Sequence, residues 1–237
     1  MKQKEAAMPA QILHDLGQLP PRRTEALVDI LRSHILTGEL PPGQRLNLDE
    51  IAQQSGVSRM PVRDALKQLE AEGLVNIYPQ RGIEVSALNI EDITQLFGIR
   101  IVLEQKAVEL AIPRLTSEDH ARMKDILTKM DLLTGRSSSW PNFNAQFHYI
   151  INSASGWPRL ISMISVLRAN VDRYVREYVR MLGTEIAQRQ HWDLYHACVD
   201  GDAERAKQVV HDHFSTTTNE LLSALKAEDN SKTKKMP

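Results

Sequence analysis

The chain has 237 residues, 42% hydrophobic and 5% aromatic, enough for one or two domains with a real core, and its sparse aromatics favour helices over a β-sandwich. The single cysteine, Cys198, excludes an intramolecular disulfide and a Cys-based zinc site, and no run of about 20 apolar residues is present to span a membrane. Lys and Arg number 29 against 30 Asp and Glu, and residues 1–88 carry ten basic and eleven acidic side chains, so a strongly basic nucleic-acid-binding domain is excluded and such a role would need local placement of Arg and Lys.

Residues 1–22 are polar, mix acids with bases, and end in Pro20-Pro21; they read as a flexible arm and not as a secretory signal, which implies a reducing, cytoplasmic setting. From Thr24, a plausible cap, Leu27, Ile30, Leu31 and Ile35 fall on one helical face until Gly38 and Pro41-Pro42-Gly43 stop it. A short helix capped by Asp49 would turn Ile51 and Ala52 inward and end at Ser55-Gly56. A third begins at Ser58, tolerates Pro61 in its first turn, buries Val62, Ala65, Leu66 and Leu69, and closes at Gly73. The period then changes: Leu74–Tyr78 and Ile83–Val85 are β-like runs around Pro79–Gly82. Helix, short helix, turn, helix and hairpin make a winged helix-turn-helix with a small β wing over residues 23–85.

A linker at 86–90 follows, with Asn89 able to cap the next helix. Residues 91–227 read as an all-α bundle of about six helices. Its breaks fall at Pro113, Gly135 with Ser137–Ser139, Gly156, Gly183 and Gly201, and Thr116, Thr184 and Asp202 are natural caps. Residues 228–237 read as a charged, frayed tail. The fold class is mainly α.

The most informative stretch is Gly56–Leu66. Residues at the front of the second helix of a helix-turn-helix reach base edges in the major groove. Arg59 and Arg63 lie one turn apart, opposite Val62, Leu66 and Leu69. The arginine fork matches the acceptor edge of guanine, while Ser58 and Lys67 suit phosphates. Arg81, beside Gly82 at the hairpin tip, could enter the minor groove or grip backbone. The bland alternative is a solvated face, with Arg63 paired to Asp64 and Lys67 to Glu70 or Glu72.

Pro41-Pro42-Gly43, Leu48–Ala52, Val57–Leu66, Leu69–Val75 and Arg81-Gly82 together resemble the GntR family of bacterial transcriptional regulators. The resemblance implies operator contacts by Ser58, Arg59, Met60, Arg63 and Gly82. Met60 stands where Thr is common, offering an apolar contact for a thymine methyl. Asp49 stands where some members carry an operator-contacting Arg.

The rest of the chain resembles the FCD effector domain of the FadR-like subfamily, through Gly98–Glu104, Phe147-His148, Gln190-His191-Trp192 and Gly201–His213. The three histidines share no local spacing, and each alone reads as a partly buried, hydrogen-bonded side chain. The resemblance implies a divalent metal ion, zinc first, on Asn144, His148, His191 and His213. Asn144 replaces the usual Asp and lacks its charge. Arg100, otherwise a structural partner of Glu104, would meet a small carboxylate effector at the same site. His14, His34, His120, His196 and His211 are assigned to surface or packing, as are Trp140, Trp157 and Trp192, although Trp192 adjoins a proposed ligand. Cys198 is a small core residue.

The implied function is a homodimeric DNA-binding repressor on a two-fold symmetric double-stranded operator, controlled by the carboxylate and contacting no membrane. The rival is a metal-dependent enzyme on the His148/His191/His213 cluster. Against it, there is no His-Glu-x-x-His segment, no nucleophile elbow and no phosphate-binding Gly loop.

Overall fold

The computed structural model describes residues 10–16, 23–79, 81–86, 89–133 and 137–233. The chain divides between Leu88 and Asn89 into two compact units. The first begins with helix α1 (Ala10–Leu16), inside the segment read as a loose arm. Ile12 and Leu16, one turn apart, are fully buried, and α1 packs on the two helices that follow, α2 (Arg23–Thr37) and α3 (Leu48–Ser55). Seven residues make no stable helix alone, so burial of these two side chains holds it. His34 of α2 ties it down further, with Nε2 3.0 Å from Asp15 Oδ2 and Nδ1 2.7 Å from Glu39 Oε2. The remainder of the arm, Pro20 and Pro21 included, lies outside the described residues.

Helix α2 buries Leu27, Leu31 and Ile35, with Val28 added. It starts at Arg23, so Thr24 lies inside its first turn and not at its cap. Helix α3 is capped by Asn47 and not by Asp49. Asn47 has an extended backbone, and its side-chain oxygen accepts from the N–H groups of Asp49 and Glu50. Asp49 therefore sits in the first turn, where the helix dipole favours a carboxylate. Gly56 ends α3 at φ 61°, a left-handed conformation that suits glycine. Helix α4 (Arg59–Ala71) then buries Val62, Ala65, Leu66 and Leu69, the expected face. Arg32 donates through Nε and Nη2 to both oxygens of Glu72, at 2.7 and 2.6 Å, and holds the end of α4 on α2.

Three strands form an antiparallel sheet in the order β1-β3-β2. Strands β2 (Val75–Tyr78) and β3 (Gly82–Val85) are the expected hairpin, with Asn76 opposite Glu84 and Tyr78 opposite Gly82. Strand β1 (Arg45–Leu46) covers the other edge of β3. Two residues are too few to show a period of two, so the sequence reading missed it.

The second unit opens with α5 (Ile90–Ala111), whose cap Asn89 accepts from the N–H of Glu91 at 2.9 Å. Ala87 and Leu88 of the expected linker lie outside the described residues. A 3-10 turn carries Pro113, and α6 (Ser117–Asp131) starts behind a capping box of Thr116 and Asp119. Helices α7 (Trp140–Ala154) and α8 (Pro158–Leu182) each take a proline in the first turn. Helix α9 (Glu185–Asp200) ends at Gly201, and Asp202 opens α10 (Ala203–Thr233) by accepting from the N–H of Arg205 at 3.0 Å. Helix α10 runs through the expected tail as far as Thr233, with the good helix formers Ala224–Ala227 carrying it past the buried Leu221.

Helix α5 packs against α7, α8 and α10, with α6 outside against α7 and α9. Phe97, Phe147 and Tyr174 are among the largest fully buried side chains, and the Tyr174 hydroxyl donates to Asp92 at 2.6 Å. Cys198 is buried, which pushes its thiol up to about 12, as befits a core residue. Among the described residues no helix is long and apolar enough to cross a membrane.

Candidate functional site

The front of α4 is open. Ser58, Arg59, Met60, Arg63 and Lys67 are all exposed, while the opposite face is core. Met60 is 61% exposed, an apolar side chain on this same open face. The bland pairing of these cations is not what forms. Glu72 is taken by Arg32, and Glu70 accepts from the N–H of Ile77 at 3.1 Å. Arg63 and Lys67 make no ion pair among the described residues. Arg59 does have a partner, Asp49 of α3, through Nη2 to Oδ2 at 2.7 Å and through Nε to Oδ1. Arg81 and Gly82 are exposed at the hairpin tip, where Gly82 has φ 93° and open space around it. Six of the seven expected contact residues thus lie free on the surface, and the seventh, Arg59, is held by Asp49, the residue expected to cap α3.

In the second unit, three helices bring His148 (α7), His191 (α9) and His213 (α10) together. One nitrogen from each lies within 4.8 Å of the others, and the ring centroids are 4.6–5.4 Å apart. All three rings are buried. Burial first, then the neighbouring rings, pushes His148 and His191 well below the usual imidazole range, and burial with Arg100 pushes His213 down to about 3. The rings are therefore neutral, the form that ligates metals. Nε2 of His148, both nitrogens of His191 and Oδ1 of Asn144 are buried without a hydrogen-bond partner.

The surroundings orient the cluster. Nδ1 of His213 lies 3.1 Å from Oε1 of Gln190. A carbonyl oxygen only accepts, so Nδ1 carries the hydrogen and Nε2 keeps its lone pair. Trp140 stacks on His191 at 5.6 Å. Arg100 is buried, donates through Nη2 to Glu104 at 2.6 Å, lies 4.5 Å over the Phe214 ring, and leaves Nε unpartnered. Arg100 and Asn144 border one small cavity with His213 and another with His148. Three neutral imidazoles and an amide oxygen fit a divalent ion of zinc's type.

Sequence reading missed Gln190 and Trp140 as parts of this site. Gln190 was legible only as the neighbour of His191, and Trp140 not at all. Trp192, the tryptophan considered for the pocket, instead donates to Asp131 and stacks on His196.

Residues 23–85 match the model of the gntR family of bacterial regulatory proteins, and residues 95–216 match the FCD domain. The HTH-type transcriptional regulator McbR of Escherichia coli is 30% identical over 201 residues, 84% of this chain and 80% of that protein. The HTH-type transcriptional repressor GlaR of the same species is 28% identical over 200 residues, 78% of this chain and 90% of that protein. A solved structure of E. coli McbR covers 84% of this chain and 97% of its own with a TM-score of 0.71 at 24% identity, a likeness of fold. The winged motif and the helical unit behind it place the chain in the GntR family, as a DNA-binding transcriptional regulator with an FCD effector domain.

Proposed function

We propose that this regulator is a homodimeric, cytoplasmic repressor whose hold on a two-fold symmetric operator is released by a small carboxylate bound in the FCD domain. The observation that carries the reading is the set of buried, unpartnered donor atoms on His148, His191 and Asn144 beside Arg100. Each such orphan costs about 1–3 kcal/mol, and an ion would take the His148 nitrogen, one nitrogen of His191 and the Asn144 oxygen together. His148, His191, His213 and Asn144 would hold a divalent metal ion, zinc first. The ion would supply a fixed positive charge for a carboxylate oxygen. Arg100, kept in place by Glu104, would donate to the same carboxylate.

At the DNA, α4 would enter the major groove with Arg59 and Arg63 at base edges and Met60 against a thymine methyl. Ser58 and Lys67 would take phosphates, with Arg81 and Gly82 at the adjacent backbone or minor groove. A second copy doubles the contacts of a domain without net positive charge. Ile99 and Val102 on α5 and Met163 and Val166 on α8 are exposed apolar side chains on packed helices, a surface such a copy would cover. GlaR's name supports repression. An enzyme is not favoured, because Glu104, the buried carboxylate at the site, is locked on Arg100 and is no free general base. Effector control requires that the acid bind two arrangements of the dimer unequally.

Footprinting on the protein's own promoter, together with elemental analysis, tests the reading. The wild type is expected to hold roughly one zinc per chain. His148→Ala is expected to lose the metal, keep the footprint and stop responding to acids. Full metal content in His148→Ala, or equal weak binding to every duplex, sinks it.

A further inference from the structure

Arg168 of α8 is a half-buried guanidinium with no hydrogen bond or ion pair among the described residues. The carboxylates that could serve it are engaged elsewhere. Asp172 accepts from Arg176 at 2.9 Å, Glu104 from Arg100 at 2.6 Å, and Asp125 from Lys129 at 2.6 Å. A partly dehydrated guanidinium that makes no direct ion pair leaves its donors for another acceptor. Burial lowers the pKa of Arg168 from its usual value; Asp172 and Glu104 act against this, and Arg100 and Arg176 act with it.

Arg168 also stands where two cavities meet. An outer cleft of about 500 Å³, bordered by Arg122, Lys129, Asn142, Gln146 and Tyr149, is in the size range of small-molecule sites. The inner cavity is bordered by Arg100, Asn144, His148 and Asp172, the last of which accepts from Arg176. Arg168 and Ala145 line both. Of the three cations on the outer cleft, Lys129 pairs with Asp125 at 2.6 Å and Arg122 with Asp119 at 3.7 Å, and Arg168 makes no ion pair among the described residues. Its charge favours an anion, and the way inward passes Arg168.

We infer that Arg168 receives a second anionic head group, so that the effector is a two-headed acid such as a dicarboxylate. One carboxylate turns inward to Arg100 and the histidines, and the other stays at the mouth on Arg168. The inference rests on the effector site proposed above. A mono-acid satisfies the inner groups and leaves Arg168 without a counter-charge. A diacid neutralises both ends, and the planar guanidinium pairs with a carboxylate through two parallel hydrogen bonds.

The test is calorimetric titration of the full-length protein, with one equivalent of zinc, against malonate, succinate, glutarate and adipate and the mono-acids of matching length. The wild type is expected to bind at least one diacid about tenfold or more tightly than its matched mono-acid. Arg168→Met removes the charge at similar length and is expected to bring that ratio near one, with a ligand-free melting temperature no lower than wild type. Arg168→Lys restores part of the preference, and His148→Ala abolishes binding of both classes. If a mono-acid binds as tightly as the diacids and still needs His148, or if Arg168→Met keeps the preference, the inference falls and the effector site stands. If no acid of either class binds in a His148-dependent way, the effector site itself falls.

Discussion

Asp49, in the first turn of α3, and Arg59, the first residue of α4, form a two-pronged ion pair across the turn of the DNA-binding motif. It occupies one edge of the guanidinium, Nε and one Nη2 hydrogen. The remaining Nη hydrogens point end-on, the pair of donors that fits O6 and N7 of a guanine. Asp49 thus fixes the plane of Arg59 while setting a negative charge near the phosphates. The side chains are 60% and 71% exposed, so the pair adds less than about 1 kcal/mol to stability. Asp49→Ala should therefore melt like the wild type. It should also bind arbitrary duplex a few-fold more tightly and lose about tenfold in preference for the operator. Competition mobility shifts measure the ratio, and an unchanged preference would show that Asp49 does not hold Arg59 for base reading.

Lys67 and Arg63 separate affinity from specificity. Both are exposed and free of carboxylates among the described residues. Lys67→Ala should weaken operator and random duplex alike and reduce the slope of log affinity against log salt by about 1. Arg63→Ala should cost about 1–3 kcal/mol at the operator with little change on random duplex. Equal effects of the two variants on both duplexes would remove Arg63 from the bases.

The motif was legible because its information is local. Left-handed glycines and a 3.6-residue apolar period mark α2, α3 and α4 directly in the sequence, while the caps of α2 and α3 fall elsewhere than expected. Helix α1 was not, since two buried side chains in seven residues show no period, and only contact with α2 and α3 makes them a helix. The histidine cluster is the opposite case. His148, His191 and His213 lie on three helices far apart in sequence, and only the tertiary packing, or resemblance to a family, joins them. Arg168 carries no motif at all, and its meaning comes from the partners that its neighbours have already taken.

Gln190 is expected to act on the metal without touching it. Its Oε1 accepts from Nδ1 of His213 and so leaves Nε2 as the nitrogen with the lone pair that His213 can offer an ion. Gln190→Leu keeps the volume and removes the acceptor. Zinc affinity should fall about 10–100-fold, with helix content unchanged and Gln190→Glu restoring most of it. A competitive chelator titration gives the number. Wild-type affinity in Gln190→Leu would mean that the ring is held by packing against Phe214 alone.

The buried histidines also set a pH dependence whose sign is fixed. All three are pushed down, His213 to about 3, with burial as the main cause. Between those depressed values and the unfolded value near 6.5, the unfolded chain binds more protons than the folded one, so stability rises with pH. The contribution is complete above about pH 6.5 and is lost as the pH falls below it, for His213 down to about 3, at roughly 1.4 kcal/mol per pH unit for each ring still neutral in the fold. The metal-free protein should therefore melt at a constant temperature from about pH 8 to 7 and at steadily lower temperatures below about 6.5. Added zinc should move the onset of that fall to lower pH, because the ion holds the imidazoles neutral until protons displace it. A metal-free melting temperature that stays level down to about pH 4 would show that the rings are not kept neutral by the fold.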